Sequence, residues 1–175
     1  MSLFVAITLS PAFRQAVLET MELLRAQCAS GSFTRPENLH ITLAFLGELP
    51  SPVPARQALE QVDFAPFPIT LEGAGHYGDL WWAGLRRSPQ LLNLSEQVRR
   101  KLDKQRISFD RKPFRPHITL ARRAVLLSPG SASLKVEPAS MQVESIVLMK
   151  SQRVQGRLLY SPVFRREARQ DSPSD

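Results

Sequence analysis

His40-Ile41-Thr42-Leu43-Ala44 recurs residue for residue as His117-Ile118-Thr119-Leu120-Ala121, and the two copies hold two of the three histidines in the 175-residue chain. On a β-strand successive side chains face opposite ways, so His and Thr at i and i+2 point to one side and Ile and Leu to the other. Each copy thus offers an apolar side to a core and a polar side bearing one imidazole and one hydroxyl.

The surroundings of the two copies also match. Phe4 to Leu9 reads as an apolar strand, followed by Ser10-Pro11, a helix cap with proline in the first turn. Phe13, Val17, Met21, Leu24 and Cys28 then follow at three- and four-residue spacing, with Gly31 as the expected stop. Before the second copy, Leu80 to Leu85 is a strand, Ser88-Pro89 a cap, and Leu91, Leu94, Val98 and Leu102 a helical stripe. Ser10 precedes His40 by 30 residues and Ser88 precedes His117 by 29. Order and spacing together indicate an internal duplication. The motif strand is expected over Leu39 to Leu46, and a second helix over Ala55 to Val62. Further strands are expected over Phe67 to His76, Met141 to Lys150 and Arg157 to Arg166, and a loop over Ser128 to Ser133. The expected class is α+β, with two pseudo-symmetric lobes, each an antiparallel sheet with outer helices. The His-x-Thr strands would face each other across a central groove. Residues 1–168 are expected to form this single bilobal unit and 169–175 a polar, disordered tail.

Composition narrows the function. Hydrophobic residues make up 43% and charged residues 22%, as in soluble globular chains. A single cysteine, Cys28, excludes an internal disulfide and a cysteine metal cluster and fits a reducing compartment. The apolar run Leu3 to Leu9 has no basic leader and is too short for a membrane span, so a cytoplasmic protein without membrane attachment is expected. The net charge of +7 is uneven: between Arg99 and Arg123 stand ten basic residues against two acidic ones. Such a concentration attracts polyanions, nucleic acid above all. Its plainer reading is the solvated face of a helix bearing Arg99, Arg100, Lys101 and Lys104.

An imidazole gives or takes a proton near neutral pH, and two of them on opposite sides of a substrate make a general acid and base. Thr42 and Thr119 would add hydroxyl donors for the non-bridging oxygens of a phosphate. Arg115 and Arg122 lie close enough to the second copy to add cationic hydrogen bonds. Together these groups suit in-line displacement at phosphorus without a metal, for two histidines alone fall short of a metal centre. No Walker loop is present, and no serine or cysteine stands in a nucleophile context. Phe45 and Tyr160 are candidate stacking partners for a base, and Arg157 a candidate phosphate contact. His76, in a Gly-rich turn without the Thr, reads as a surface residue. Of Trp81 and Trp82, adjacent on a strand, only one can face the groove.

These residues carry a resemblance. Asn38 to Gly47 and Pro113 to Arg122, with Gly156-Arg157 and Tyr160-Ser161-Pro162 as a closing strand, resemble the two-histidine (2H) phosphoesterases. Within them they resemble the bacterial RNA 2′,3′-cyclic phosphodiesterases long labelled 2′-5′ RNA ligases. The similarity runs from Phe4 to about Arg166. It implies a bilobal fold and hydrolysis of terminal 2′,3′-cyclic phosphates of RNA to 2′-phosphates, with reversible 2′-5′ joining of RNA ends such as tRNA halves. It also implies His40 as proton donor, His117 as proton acceptor and no metal or nucleotide cofactor. A monomer is expected. Two other readings remain: a nucleotide- or RNA-binding module of the same fold, and a cyclic phosphodiesterase for a non-RNA substrate.

Overall fold

The computed structural model describes residues 1–130 and 132–170. It begins with β1 (Ser2–Thr8), whose run Leu3 to Ile7 is buried throughout. α1 (Pro11–Ala26) follows, with Ser10 Oγ accepting from the Phe13 amide at 3.3 Å. The chain then forms β2 (Cys28–Phe33), a short 3-10 turn at Pro36–Asn38, β3 (His40–Glu48) and α2 (Val53–Glu60). Next come β4 (Phe67–Tyr77), β5 (Leu80–Leu85) and α3 (Pro89–Lys104), the last capped by Ser88 Oγ accepting from the Leu91 amide at 3.1 Å. β6 (His117–Leu126), β7 (Ser140–Val143), β8 (Ser145–Val154) and β9 (Arg157–Glu167) complete the described chain.

The strands form two antiparallel sheets, one of four in the order β3-β1-β8-β9 and one of five in the order β2-β6-β5-β4-β7. His40 therefore stands on an edge strand of the first sheet and His117 on an inner strand of the second. Ile41, Leu43, Ile118 and Leu120 are fully buried in one apolar core that also takes Phe13, Leu24, Leu91 and Leu102 from the helices. This is the α+β class expected, with both motif strands showing the expected division of faces.

Three expectations need correction. Cys28 does not close the α1 stripe: the helix ends at Ala26 and Cys28 opens β2, where it packs partly buried against the core. β2 is an edge strand, small or polar up to Phe33 and exposed along most of its length, so no apolar alternation marks it. The strand expected from Met141 to Lys150 is two strands parted at Glu144, with β7 in the larger sheet and β8 in the smaller. The sheets also do not coincide with the duplicated halves. β1 and β3 of the first half share a sheet with β8 and β9 through the β1–β8 pairing, while β2 crosses over to pair with β6. In the second half the counterpart of β2 is the Ile107 to Asp110 segment, which reaches β3 through the backbone bond from Asp110 N to Phe45 O at 2.9 Å. Each half thus lends one segment to the motif strand of the other. The polar tail expected over 169–175 falls, from Asp171 on, outside the described residues.

Candidate functional site

The two imidazoles are held alike. His40 Nδ1 donates to the carbonyl of Asn38 at 2.7 Å, and His117 Nδ1 donates to the carbonyl of Arg115 at 2.6 Å. A carbonyl only accepts, so both rings carry a proton on Nδ1 and turn Nε2 outward. That nitrogen is the one free to gain or lose a proton. The two rings are close enough for the charge of His117 to disfavour protonation of His40.

A shared irregularity shapes the polar face. In β1–β3 pairing, Val5 opposes Ala44 and Ala6 opposes Thr42, which leaves Leu43 unopposed. In β5–β6 pairing, Trp81 opposes Ala121 and Trp82 opposes Thr119, which leaves Leu120 unopposed. Each motif therefore contains a β-bulge at the same leucine, and each shifts the alternation by one residue. Leu43-Ala44 and Leu120-Ala121 are buried in succession, and the next residue, Phe45 in one copy and Arg122 in the other, is exposed. Strict alternation would have put Ala44 and Ala121 beside the threonines. The bulge instead puts an aromatic ring there in one copy and a guanidinium in the other.

Beyond these shared features the surroundings differ. The His40 ring packs edge-on against Tyr160, with centroids 5.3 Å apart at 85°, and lies 5.0 Å from the Phe4 ring. Phe4 and Tyr160 close the triangle at 4.8 Å. Its Nε2 shares a 2.8 Å hydrogen bond with Thr42 Oγ1. Burial pushes the His40 pKa down; the Asn38 carbonyl works against this, while the charges of His117 and Arg122 add to it. Burial likewise raises the Tyr160 pKa, opposed by the nearby charges of Arg122 and Arg153. Arg122 thus acts on both His40 and Tyr160 from the opposite sheet. Around His117, among the described residues, no aromatic ring packs and Thr119 Oγ1 makes no hydrogen bond; the Thr119 carbonyl accepts from Thr34 Oγ1 at 2.8 Å.

Of the residues singled out from the sequence, His40, Thr42, His117, Thr119, Arg122 and Tyr160 converge, and Phe45 borders them, 50% exposed. Arg115 contributes its carbonyl, while its side chain is exposed. Arg157 stands after the two-residue turn Gln155-Gly156, paired with Val154, and alternation sets it on the opposite face of the hairpin from Tyr160. The hairpin arginine whose charge reaches Tyr160, together with that of Arg122 from the other sheet, is Arg153. Trp82 takes the groove face beside Thr119, whereas Trp81 is buried on the other side with exposed His76 stacked on it at 4.6 Å. Asn38 opens the first motif in the sequence but was given no role there: it is 5% exposed, and its Nδ2 donates to the Leu158 carbonyl of β9 at 2.9 Å. One residue thereby fixes the His40 ring by its backbone and brings the hairpin bearing Tyr160 against β3 by its side chain. The signal available was an asparagine two residues before the histidine.

The basic segment divides. Arg99 and Arg111 sandwich Phe109, their guanidinium carbons 5.4 and 4.0 Å from the ring centroid, and Arg111 pairs with Asp103 at 2.7 Å. Arg100, Lys101 and Lys104 lie on α3, which packs against β3. Among the described residues no group of three or more His, Cys, Asp or Glu is placed to hold a metal, and no helix is long and apolar enough to cross a membrane.

Known proteins resemble this chain in sequence and fold. The RNA 2′,3′-cyclic phosphodiesterase of Archaeoglobus fulgidus is 36% identical over 70% of this chain and 72% of its own length. The Escherichia coli protein of the same name is 29% identical over 93% and 94%. That of Geobacillus stearothermophilus is 31% identical over 82% of this chain, which spans about half (49%) of that relative's length. The crystal structure of E. coli LigT complexed with 3′-AMP superposes with a TM-score of 0.82 at 29% identity, covering 97% of this chain and 98% of that one. The family model for the 2′-5′ RNA ligase superfamily matches residues 11–155. The chain belongs to the 2′-5′ RNA ligase superfamily.

Proposed function

We propose that this protein hydrolyses the terminal 2′,3′-cyclic phosphate of RNA to a 2′-phosphate without a metal, and joins RNA ends in a reversible 2′-5′ linkage as a side activity. The observation that carries the reading is the pair of imidazoles, each anchored through Nδ1 to the carbonyl two residues before it, with both Nε2 atoms left for proton transfer. The names of the relatives support it.

Opening the ring to a 2′-phosphate breaks the bond from phosphorus to O3′. Water attacks opposite that oxygen, passing its proton to His117, while O3′ leaves with the proton of His40. Both transfers use Nε2, and the histidines exchange protonation states over the cycle. The guanidinium of Arg122 meets the charge that builds on the non-bridging oxygens. Thr119, with an uncommitted hydroxyl, is the second donor, and Thr42 orients His40. Phe45 offers a stacking face to the terminal base. With an RNA 5′-hydroxyl in place of water the same steps give a 2′-5′ bond. Cut RNA ends, tRNA halves among them, are the substrate class, and the enzyme works as a cytoplasmic monomer.

The test is incubation of RNA ending in a 2′,3′-cyclic phosphate in the presence of EDTA, with the product identified. A 2′-phosphate is expected. No turnover, a 3′-phosphate product, or activity that returns only with added zinc or magnesium would overturn the reading.

A further inference from the structure

The five-stranded sheet carries an aromatic surface that hydrolysis leaves unused. Trp82 opposes Thr119 on β6 and Gly75 on β4, and opposed residues share a face. The indole therefore lies on the side of His117 and Thr119. Its floor is glycine. A Cβ added to Gly75 would come within 2.4 Å of Cζ2 and 2.6 Å of Cη2, and one added to Gly84 within 3.3 Å of Cζ3. The ring thus lies flat on the sheet with its other side partly exposed. Tyr77, on the same face and 53% exposed, leans against it with centroids 5.7 Å apart at 39°. The indole Nε1 is buried without a partner among the described residues, so close packing on the glycines holds the ring in place. A flat indole flanked by an exposed tyrosine is a stacking platform for a planar ligand.

We propose that Trp82 and Tyr77 bind the first nucleobase of the strand that brings the 5′-hydroxyl, the second substrate of 2′-5′ joining. This rests on the roles given above to His40 and His117. In-line displacement places the nucleoside bearing O3′ on the His40 side and the entering oxygen on the His117 side. Gly84 opposes His117 and Trp82 opposes Thr119, so the platform adjoins the entry side. In joining, the 5′ oxygen bonds to phosphorus and gives its proton to His117, the bond from phosphorus to O3′ breaks, and O3′ takes the proton of His40. No further reactant is needed. Water has no base to stack, and hydrolysis therefore bypasses the platform.

The test sets two substrates against one position. Wild type, Trp82→Ala and Trp82→Phe are assayed for hydrolysis of adenosine 2′,3′-cyclic phosphate and for cleavage of 2′-5′-linked adenylyl-adenosine, the reverse of joining. Trp82→Ala is expected to lower kcat/KM for the dinucleotide about 10-fold or more, as loss of a base-stacking side chain does, with Trp82→Phe recovering part of it. Hydrolysis of the cyclic mononucleotide is expected to hold in both variants. Equal losses on the two substrates, or a loss confined to the mononucleotide, would overturn the proposal. A wild type that hydrolyses the mononucleotide yet never cleaves the dinucleotide would also overturn it and leave the hydrolase reading standing. If neither substrate turns over, the hydrolase reading falls, and Trp81→Phe, with Trp82 as its one indole, decides the subsite by fluorescence. Quenching by the dinucleotide and not by adenosine 2′-phosphate would support the platform; equal or absent quenching would end it.

Discussion

The two His-x-Thr strands have one sequence, one bulge and one mode of holding the imidazole, yet they sit in different media. His40 is wedged between Phe4 and Tyr160 and bonded to Thr42; among the described residues no ring packs on His117 and Thr119 Oγ1 is unbonded. The neighbours of His40 lower its affinity for a proton. Desolvation disfavours the charged ring, so His40 is the stronger acid of its type when it does carry a proton. A strong acid suits the departing O3′, which leaves as an alkoxide unless protonated. A wetter imidazole beside the entering water suits the base. This difference in surroundings favours the proposed direction, His40 as donor and His117 as acceptor.

Removing either ring is the most severe way to break this comparison. His40→Ala and His117→Ala are each expected to lower kcat by roughly 10²–10⁴, the usual worth of a positioned acid or base. A substrate with sulfur in place of O3′ leaves without protonation, so it is expected to rescue His40→Ala and not His117→Ala; rescue of the other variant would exchange their roles. The pH profile sharpens the same point. As the donor, His40 must be protonated in the free enzyme, and its lowered pKa then sets the alkaline limb of kcat/KM below the ordinary histidine value of about 6.5. Arg122 contributes to that lowering, so Arg122→Gln is expected to move the alkaline limb to higher pH, whatever it does to the maximum. Movement of the acid limb instead would mark His40 as the base.

A smaller effect separates the threonines. Thr119→Ala removes an uncommitted donor and is expected to cost about 10- to 100-fold in kcat/KM, as for a hydrogen bond to a charged group (~1.5–3 kcal/mol). Thr42→Ala frees a bond to His40, so part of its effect is expected as a shifted alkaline limb, which Thr119→Ala would lack. Identical profiles for the two variants would mean that the Thr42 bond does not tune its histidine.

Much of this was legible. The duplicated pentapeptide gave the facing strands, and the Ser-Pro pairs marked both helix starts, because caps and alternation are local physics. What escaped was set by pairing. The bulges at Leu43 and Leu120 appear only once a neighbouring strand counts residues against them, although two buried apolar residues in a row were a hint. β2 has no apolar face because it is an exposed edge. The break at Glu144 is a change of sheet within one apolar run. That Arg153 and not Arg157, the candidate phosphate contact, shares a face with Tyr160 follows from the hairpin register, which is invisible in one strand.

Asn38 tests whether the dry side is held together by design of that hairpin contact. Asn38→Ala leaves the Leu158 carbonyl without its side-chain donor, at a cost of about 1–3 kcal/mol for a buried unmet partner. Thermal melting is expected to drop accordingly. With the hairpin loosened, water reaches His40 and its alkaline limb is expected to move up, while a merely destabilised fold would keep the limb in place below its melting range.

The smallest effect is expected where charge alone seemed most suggestive. Ten basic residues between Arg99 and Arg123 read from the sequence as a polyanion site or, for Arg99, Arg100, Lys101 and Lys104, as the solvated face of a helix, and folding assigns them different neighbours. Arg99 and Arg111 are spent on Phe109 and Asp103. Arg100, Lys101 and Lys104 ride on α3, which packs on β3. The core-facing side of β3, with Ile41 and Leu43, is opposite the side that bears His40. A short RNA end seated between the histidines therefore does not pass over those three cations. Replacing all three by Gln is expected to leave kcat/KM for a cyclic mononucleotide unchanged and to leave the salt dependence of a short oligonucleotide within about 0.7 of its slope, the value of one single-strand phosphate contact. Arg122→Gln, by contrast, removes a cation from the groove and is expected to lower that slope by about one such contact. If the α3 replacements flatten the salt dependence more than Arg122→Gln does, RNA wraps behind the sheet and the groove is only the end of its path.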